Sequence, residues 1–395
     1  MRKSVIATLT IAVLVLIVQI LRPLPALQVK SVVRTDYRVP GSLNIKWPTQ
    51  GSAAIEVDGV GLMGSSNANQ VLPMASVAKL MTAYLTLQKH PLGIGATGPA
   101  LTVTAADLAT YRADSAQQNS VARVALGERL TERQLLEALL IPSGNNIATL
   151  LAQWDAGSVS QFVQEMNQTA KKLGMIHTHY ADPAGVNPAT VSSALDQLKI
   201  AQADMAIPAF RHIVRMRQAT LPVGPVVYNT DYVLGQNGII GVKTGSMPEA
   251  GGNFVFATEP RVNGKKILLL GCVMAQQGLE PLMDALHEGA SLALQASRNL
   301  EKVTLVKSGS RAAVVSSAWG QSDTVDTSKS MSVIAWPGLS VKELLDTKPL
   351  RTVNSNAVVG RLTVSAGSQT SHIPLQAAGS IMAPTLVWKL KRGIS

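Results

Sequence analysis

The order of patterns along the sequence predicts an α+β fold, with an antiparallel sheet flanked by helices and a small all-β domain after it. Three observations carry this. Strand-like runs occupy residues 53–63, helical periodicity dominates from Ser76 to about residue 173, and strand texture returns from Gly238 and persists, after one helical stretch, almost to the end. A chain of 395 residues has room for two or three domains, each with its own core. Apolar residues make up 46% and charged residues 15%, which excludes a disordered chain. The net charge of +11 favours anionic surroundings. Aromatics at 4% leave no stacking platform for single-stranded nucleic acid, and the basic residues are scattered, so no nucleic-acid partner is expected.

At the N-terminus, Arg2 and Lys3 precede a charge-free run from Val5 to Leu21, interrupted only by Thr8, Thr10 and Gln19. This is the pattern of a membrane-targeting segment whose positive end stays in the cytoplasm, and it implies export. The run is long for a cleaved signal and just long enough to span a bilayer. Leu24-Pro25-Ala26 lacks a small first residue for cleavage, so residues 1–30 are expected to be a signal or anchor segment, sooner an uncleaved anchor than a cleaved signal, with the exported protein membrane-anchored or secreted.

Residues 31–300 are expected to form the main domain. Ala53–Val57 and Gly59–Met63 read as strands joined at Asp58-Gly59. From Ser76 to about Lys89, Val77, Leu80, Met81, Tyr84 and Leu85 recur at helix spacing until Pro91 and Gly93. Thr104 caps a helix over Ala105–Ala113, and Thr131 with Gln134 makes a capping box for Glu132–Ile141, stopped by Pro142. Further helices start near Ile147 and span Ser160–Leu173, ending at Gly174. Gly238–Thr244, Asn253–Thr258 and Lys266–Met274 read as strands, and Glu280–Leu300 as a helix. Residues 301–386, with runs such as Arg311–Ser316, Ser332–Trp336 and Val358–Val364, read as the small β domain, and 387–395 as a basic amphipathic tail. The one cysteine, Cys272, lies in an apolar run and reads as a buried strand residue.

Three short motifs carry chemistry. Ser76-Val77-Ala78-Lys79 places a hydroxyl and an amine three residues apart at a helix start, hence on one face. The helix N-terminus adds backbone N–H groups and a positive dipole that favour an oxyanion. Ser143-Gly144-Asn145 follows Pro142 in an interhelical break, and Lys243-Thr244-Gly245 ends a strand. Each motif alone is weak: Ser42-Leu43-Asn44 and Lys307-Ser308-Gly309 are chemically similar decoys. Order, spacing and context together are specific.

On these motifs the chain resembles the penicillin-recognising serine enzymes, and among them the D-alanyl-D-alanine carboxypeptidases of the low-molecular-weight penicillin-binding proteins, serine peptidase family S11. The likeness extends to Ala54-Ile55-Glu56-Val57, Asn146, Leu173-Gly174-Met175, Asp182-Pro183-Ala184-Gly185, and Ile373-Pro374-Leu375 with Pro384, and so covers almost everything after residue 50. It implies a β-lactamase/DD-peptidase-like fold and a serine-type carboxypeptidase, facing the bacterial cell wall and acting on peptidoglycan stem peptides through an acyl-enzyme on Ser76. β-Lactams are then implied as covalent inhibitors, with neither metal nor cofactor. A serine hydroxyl needs a base. His177 and His179 lie in a short polar segment and read as surface residues, which leaves Lys79. A neutral Lys79 requires its amine to fall by some 3 units from about 10.4, and burial and the nearby Lys243 both push that way. By resemblance, Ser143 relays the proton to the leaving amine and Asn145 positions the acyl amide. Lys243 and Thr244 hold the substrate carboxylate, and the N–H groups of Ser76 and Ser246, beside Gly245, form the oxyanion hole.

Two positions depart from the family pattern. Many relatives carry an arginine early in the strand after the third motif, where the best alignment puts Leu268 or Ile267 of this chain beside Lys265 and Lys266; and relatives often have aspartate at Asn146. The rivals are a class A β-lactamase-like hydrolase, disfavoured because Glu165 is followed by Met166-Asn167 in mid-helix, and a catalytically silent wall-binding relative.

Overall fold

The computed structural model describes residues 2–392 and divides into two compact units, Leu43–Leu300 and, from both chain ends, Met1–Ser42 with Glu301–Ser395. Residues 393–395 of the expected basic tail lie outside the described residues.

In the larger unit, strands β1 (Ser52–Val57), β2 (Gly61–Ser66), β3 (Ile239–Met247), β4 (Gly251–Thr258) and β5 (Leu269–Gln276) form one antiparallel sheet of order β3-β4-β5-β1-β2. β4 is buried along its whole length, and its alternating side chains serve two faces. Phe254 and Phe256 lie against Gly289 of α8 (Pro281–Asn299), while Val255 and Ala257 join the cluster made with the other helices. Those helices are α1 (Lys79–Lys89), α2 (Ala105–Ala116), α3 (Glu132–Leu140), α4 (Asn145–Ala156), α5 (Val159–Lys172), α6 (Ala194–Met205) and α7 (Pro208–Val214).

Their starts follow local chemistry. Thr104 with Asp107 and Thr131 with Gln134 make reciprocal capping boxes, each cap contributing about 1 kcal/mol. Ser76 is the second residue of a 3-10 turn, Ala75–Ala78, and the α-helix proper begins only at Lys79. Asp155, Asp196 and Asp204, on the helices α4 and α6, have buried side chains. Asp155 is paired with Lys89, and Asp196 with Lys199. Asp204 has no partner among the described residues, and burial holds its carboxyl well above the usual range.

The smaller unit corrects two expected boundaries. Gln28–Ser31 pairs with Arg311–Ser316, and Asp36–Arg38 with Ser340–Thr347, so residues 28–42 belong with the β unit and not with an anchor ending at 30 or a catalytic domain starting at 31. They form opposite edges of a seven-stranded antiparallel sheet whose middle strands are Ser322–Thr327, Gln369–Ala377 and Val358–Ala366. Short polar segments far from their partners in sequence carry no signal of such pairing. Glu301–Val306 with Met331–Ala335 makes a second, two-stranded sheet. At the N-terminus, helix Arg2–Leu21 includes an exposed apolar stretch, Lys3–Leu21, of mean hydropathy 2.7.

Candidate active site

Residues 142–145 leave α3 through a turn in which Ser143 takes a positive φ of 65°, a strained setting for a non-glycine residue that is typical of functional sites. Ala75, just before Ser76, does the same at φ 49°. The Ser143 turn is held from behind. Gly144 N–H donates to Ala138 O at 3.0 Å and Asn145 N–H to Ser120 O at 2.8 Å. The Asn146 side chain accepts from Ala122 N–H at 3.0 Å and donates to Ala122 O at 2.9 Å. Asn146 here needs both a donor and an acceptor, which an ionised aspartate could not supply. That accounts for one departure from the family pattern.

The structure brings Ser76, Lys79, Ser143, Asn145, Lys243 and Thr244 together. The buried Lys79 Nζ lies 2.7 Å from Ser76 Oγ, 2.7 Å from Asn145 Oδ1 and 2.9 Å from Ala184 O. The two carbonyl oxygens can only accept. A neutral amine has two N–H bonds and one lone pair, so donating to those carbonyls leaves the lone pair for the Ser76 hydroxyl proton. Lys243 Nζ, equally buried, donates to Ser143 Oγ at 3.0 Å and to Thr244 O at 2.9 Å. Burial first, then the positive charge of Lys243, holds the Lys79 amine well below the usual lysine range, while Asp182 and Asp114 pull the other way. Burial also lowers Lys243 itself, to about 7, against the pull of Asp231.

Two glycines allow this closeness. A Cβ on Gly245 would lie 2.9 Å from Ser76 N and 3.0 Å from Met74 O, so the third motif must carry glycine for β3 to run beside the turn that bears Ser76. Ser246 follows it, exposed, at the same strand end. Gly185, at φ 79°, would put a Cβ 1.8 Å from Ala75 O. The turn at Gly185 is organised by Asp182, whose carboxylate accepts from the N–H groups of Ala184 (3.1 Å) and Val186 (2.9 Å) and from the Thr190 hydroxyl (2.6 Å). It presents Ala184 O to Lys79. Sequence reasoning found Asp182-Pro183-Ala184-Gly185 only as a resemblance, because its contribution is a backbone carbonyl and no side-chain pattern announces that.

Thr230 was missed altogether: its Oγ1 lies 2.6 Å from Thr244 Oγ1, and its N–H donates to Ile141 O at 3.2 Å. Lys265 and Lys266, by contrast, pair with Val262 and Arg261 beyond the Thr258 end of β4, whereas Lys243 and Thr244 pair with Val255 and Phe254. Lys266 is paired there with Glu259. Ile267 and Leu268, just before Leu269 opposite Thr258, lie towards that same end, so the expected position of the family arginine is also away from the site, and the end of β5 beside Gly252 is at Gln276. Glu165 sits on α5 with its carboxylate held by Lys89, and His179 is exposed beside Val191.

Known proteins with this arrangement point one way. The sequence profile of the D-alanyl-D-alanine carboxypeptidases, peptidase family S11, matches residues 49–275. The chain is 33% identical over 221 residues to a D-alanyl-D-alanine carboxypeptidase of Streptomyces sp. K15, covering 52% of this chain and 72% of that protein. The crystal structure of the Streptomyces K15 DD-transpeptidase superposes with a TM-score of 0.56 at 28% identity, over 64% of this chain and 98% of that one. DacD of Francisella tularensis, a D-alanyl-D-alanine carboxypeptidase at 18% identity, shares the fold over 89% of this chain and 98% of its own, with a TM-score of 0.62. With the family's profile matching more than half of its length, over the residues that build the site just described, the chain belongs to the D-alanyl-D-alanine carboxypeptidases of serine peptidase family S11.

Proposed function

We propose that this chain hydrolyses the terminal D-Ala-D-Ala bond of peptidoglycan stem peptides through an acyl-enzyme on Ser76. The observation that carries the reading is the hydrogen-bonding of Lys79, whose two carbonyl acceptors leave a neutral amine's lone pair facing Ser76 Oγ. Ser76 Oγ attacks the carbonyl carbon of the penultimate D-alanine and passes its proton to Lys79. The oxyanion is received by the N–H groups of Ser76 and Ser246. Collapse breaks the C–N bond, and the leaving D-alanine amine takes its proton from Ser143, which is replenished through the Lys79–Lys243 neighbourhood. Lys243 and Thr244 hold the substrate carboxylate. Once D-alanine has left, a water activated by Lys79 frees the acid product and Ser76.

A penicillin acylates the same oxygen, but its ring-opened leaving group stays tethered and blocks the water. Mixing the protein with benzylpenicillin is therefore expected to give one added drug mass, persisting for minutes or longer, while a D-Ala-D-Ala peptide releases free D-alanine catalytically. An adduct that vanishes within seconds as penicilloate accumulates would place the chain with the β-lactamases. No adduct and no D-alanine would mark a silent wall-binding relative.

The N-terminal helix is read as a retained anchor that places the enzyme on the outer face of the membrane. Support comes from the C-terminal helix Leu386–Lys391 of the same unit. Arg392 after it donates to Gln19 O at 2.9 Å and Pro23 O at 3.2 Å, and also to Arg22 O, capping carbonyls at the end of the N-terminal helix. Cells expressing the full chain are expected to yield it in carbonate-washed membranes, and deletion of residues 2–24, which spares the strand at Gln28, to yield soluble active enzyme. Mature protein in the medium starting near Leu27 would show cleavage instead.

A further inference from the structure

We infer that Asp231 is a positioning residue that keeps the positive charge on Lys243 when the substrate carboxylate arrives. The inference rests on the reading of Lys243 as part of the carboxylate subsite. It starts from an arrangement in the loop before β3 that the mechanism above does not use.

Asp231 is 4% exposed. Its Oδ1 accepts from Val233 N–H at 3.2 Å, while Oδ2 is buried without a hydrogen-bond partner among the described residues. A carboxylate in that state is costly unless a cation lies within its field. The preceding residue, Thr230, places the loop against the third motif through the 2.6 Å contact of Thr230 Oγ1 with Thr244 Oγ1. On the other side, Lys243 Nζ is buried and, among the described residues, bonded to neutral acceptors only, Ser143 Oγ and Thr244 O. Each is thus a buried ionisable group with no ion pair among the described residues, and the Thr230–Thr244 contact sets the stretches of backbone that carry them side by side.

Their affinities for a proton agree with this. Burial lowers Lys243 to about 7 against the pull of Asp231, and burial raises Asp231 to about 7 against the Val233 N–H and the charge of Lys243. Other charged groups face the site through Lys79. Lys243 itself acts on Lys79 from β3, Asp182 from the turn before Gly185, and Asp114 from α2. The loop before β3 contributes Asp231. Without that carboxylate, burial would strip Lys243 of its proton at a lower pH. Two consequences follow: a neutral Lys243 attracts a carboxylate poorly, and it no longer helps keep Lys79 neutral. This matters because Lys265 and Lys266 lie towards the other end of the sheet from Gly245 and Ser246. Lys243 is the cation that the reading above gives to the substrate's terminal carboxylate.

The test compares the full-length protein with Asp231→Asn and Asp231→Ser, measuring D-alanine release from a D-Ala-D-Ala peptide and the second-order rate of benzylpenicillin acylation between pH 5 and 10. Near pH 8, kcat/KM is expected to fall about tenfold or more, chiefly through KM, with the alkaline limb moved at least one unit towards acid. The ratio of variant to wild type should approach one at the acid end, where Lys243 is charged in either protein. A merely structural role would lower activity equally at every pH. Profiles for either folded variant that superimpose on the wild type, or that are lowered uniformly, would overturn the inference. A wild-type protein that neither takes up penicillin nor releases D-alanine would instead sink the functional reading beneath it.

Discussion

Ser76→Ala is expected to leave a folded protein that takes up no penicillin and releases no D-alanine. Removing one oxygen from a half-buried position costs the fold little, since Ser76 Oγ has the Lys79 amine as its partner and the 3-10 turn is held by backbone bonds. The chemistry loses everything, because the atom that would carry the acyl group is gone. The variant should still bind substrate through Lys243 and Thr244, so a D-Ala-D-Ala peptide should protect it against thermal unfolding as it does the wild type. A mass adduct on Ser76→Ala protein would show that another residue is the nucleophile. The decoy serines in similar motifs, such as Ser308, would then be the first to map.

Lys79→Met has the second-largest expected effect. Methionine fills much of the same space and needs no proton, so the fully buried position should tolerate it. Acylation by benzylpenicillin should slow by about 10²- to 10⁴-fold, the usual contribution of a positioned base. The pH dependence separates this from simple misplacement. Because burial and Lys243 lower the Lys79 amine, its neutral, active form persists to lower pH than an ordinary lysine's, and the acylation rate falls as pH drops and the amine takes up a proton. In the methionine variant that acid limb should disappear, leaving a low rate that is flat on the acid side. An acid limb that survives the substitution would assign the base to another group.

Much of this molecule was written locally. The capping boxes at Thr104 and at Thr131 with Gln134, the hairpin turn after Val57 and the stop at Gly174 all arise from neighbours within a few residues. So does the apolar N-terminal helix. The three motifs were legible because each is a short run of reactive side chains, and their order along the chain made the combination specific. Tertiary structure decided the rest. Lys243 meets Ser143, and Lys79 meets Asn145 and Ala184, only because β3, the Ser143 turn and the Gly185 turn converge on the start of α1. The same holds where the sequence misled. Asp204 is charged by sequence yet buried, and Gln28–Ser31, expected to end the N-terminal segment and begin the main domain, instead pairs with a strand almost three hundred residues away. Thr230 and Asp231 look like ordinary loop residues until β3 is laid beside them. Sequence determines what depends on spacing along one turn or one strand; burial, strand partners and the charge state of a lysine depend on which distant residues come to lie against it, and only the folded chain sets those.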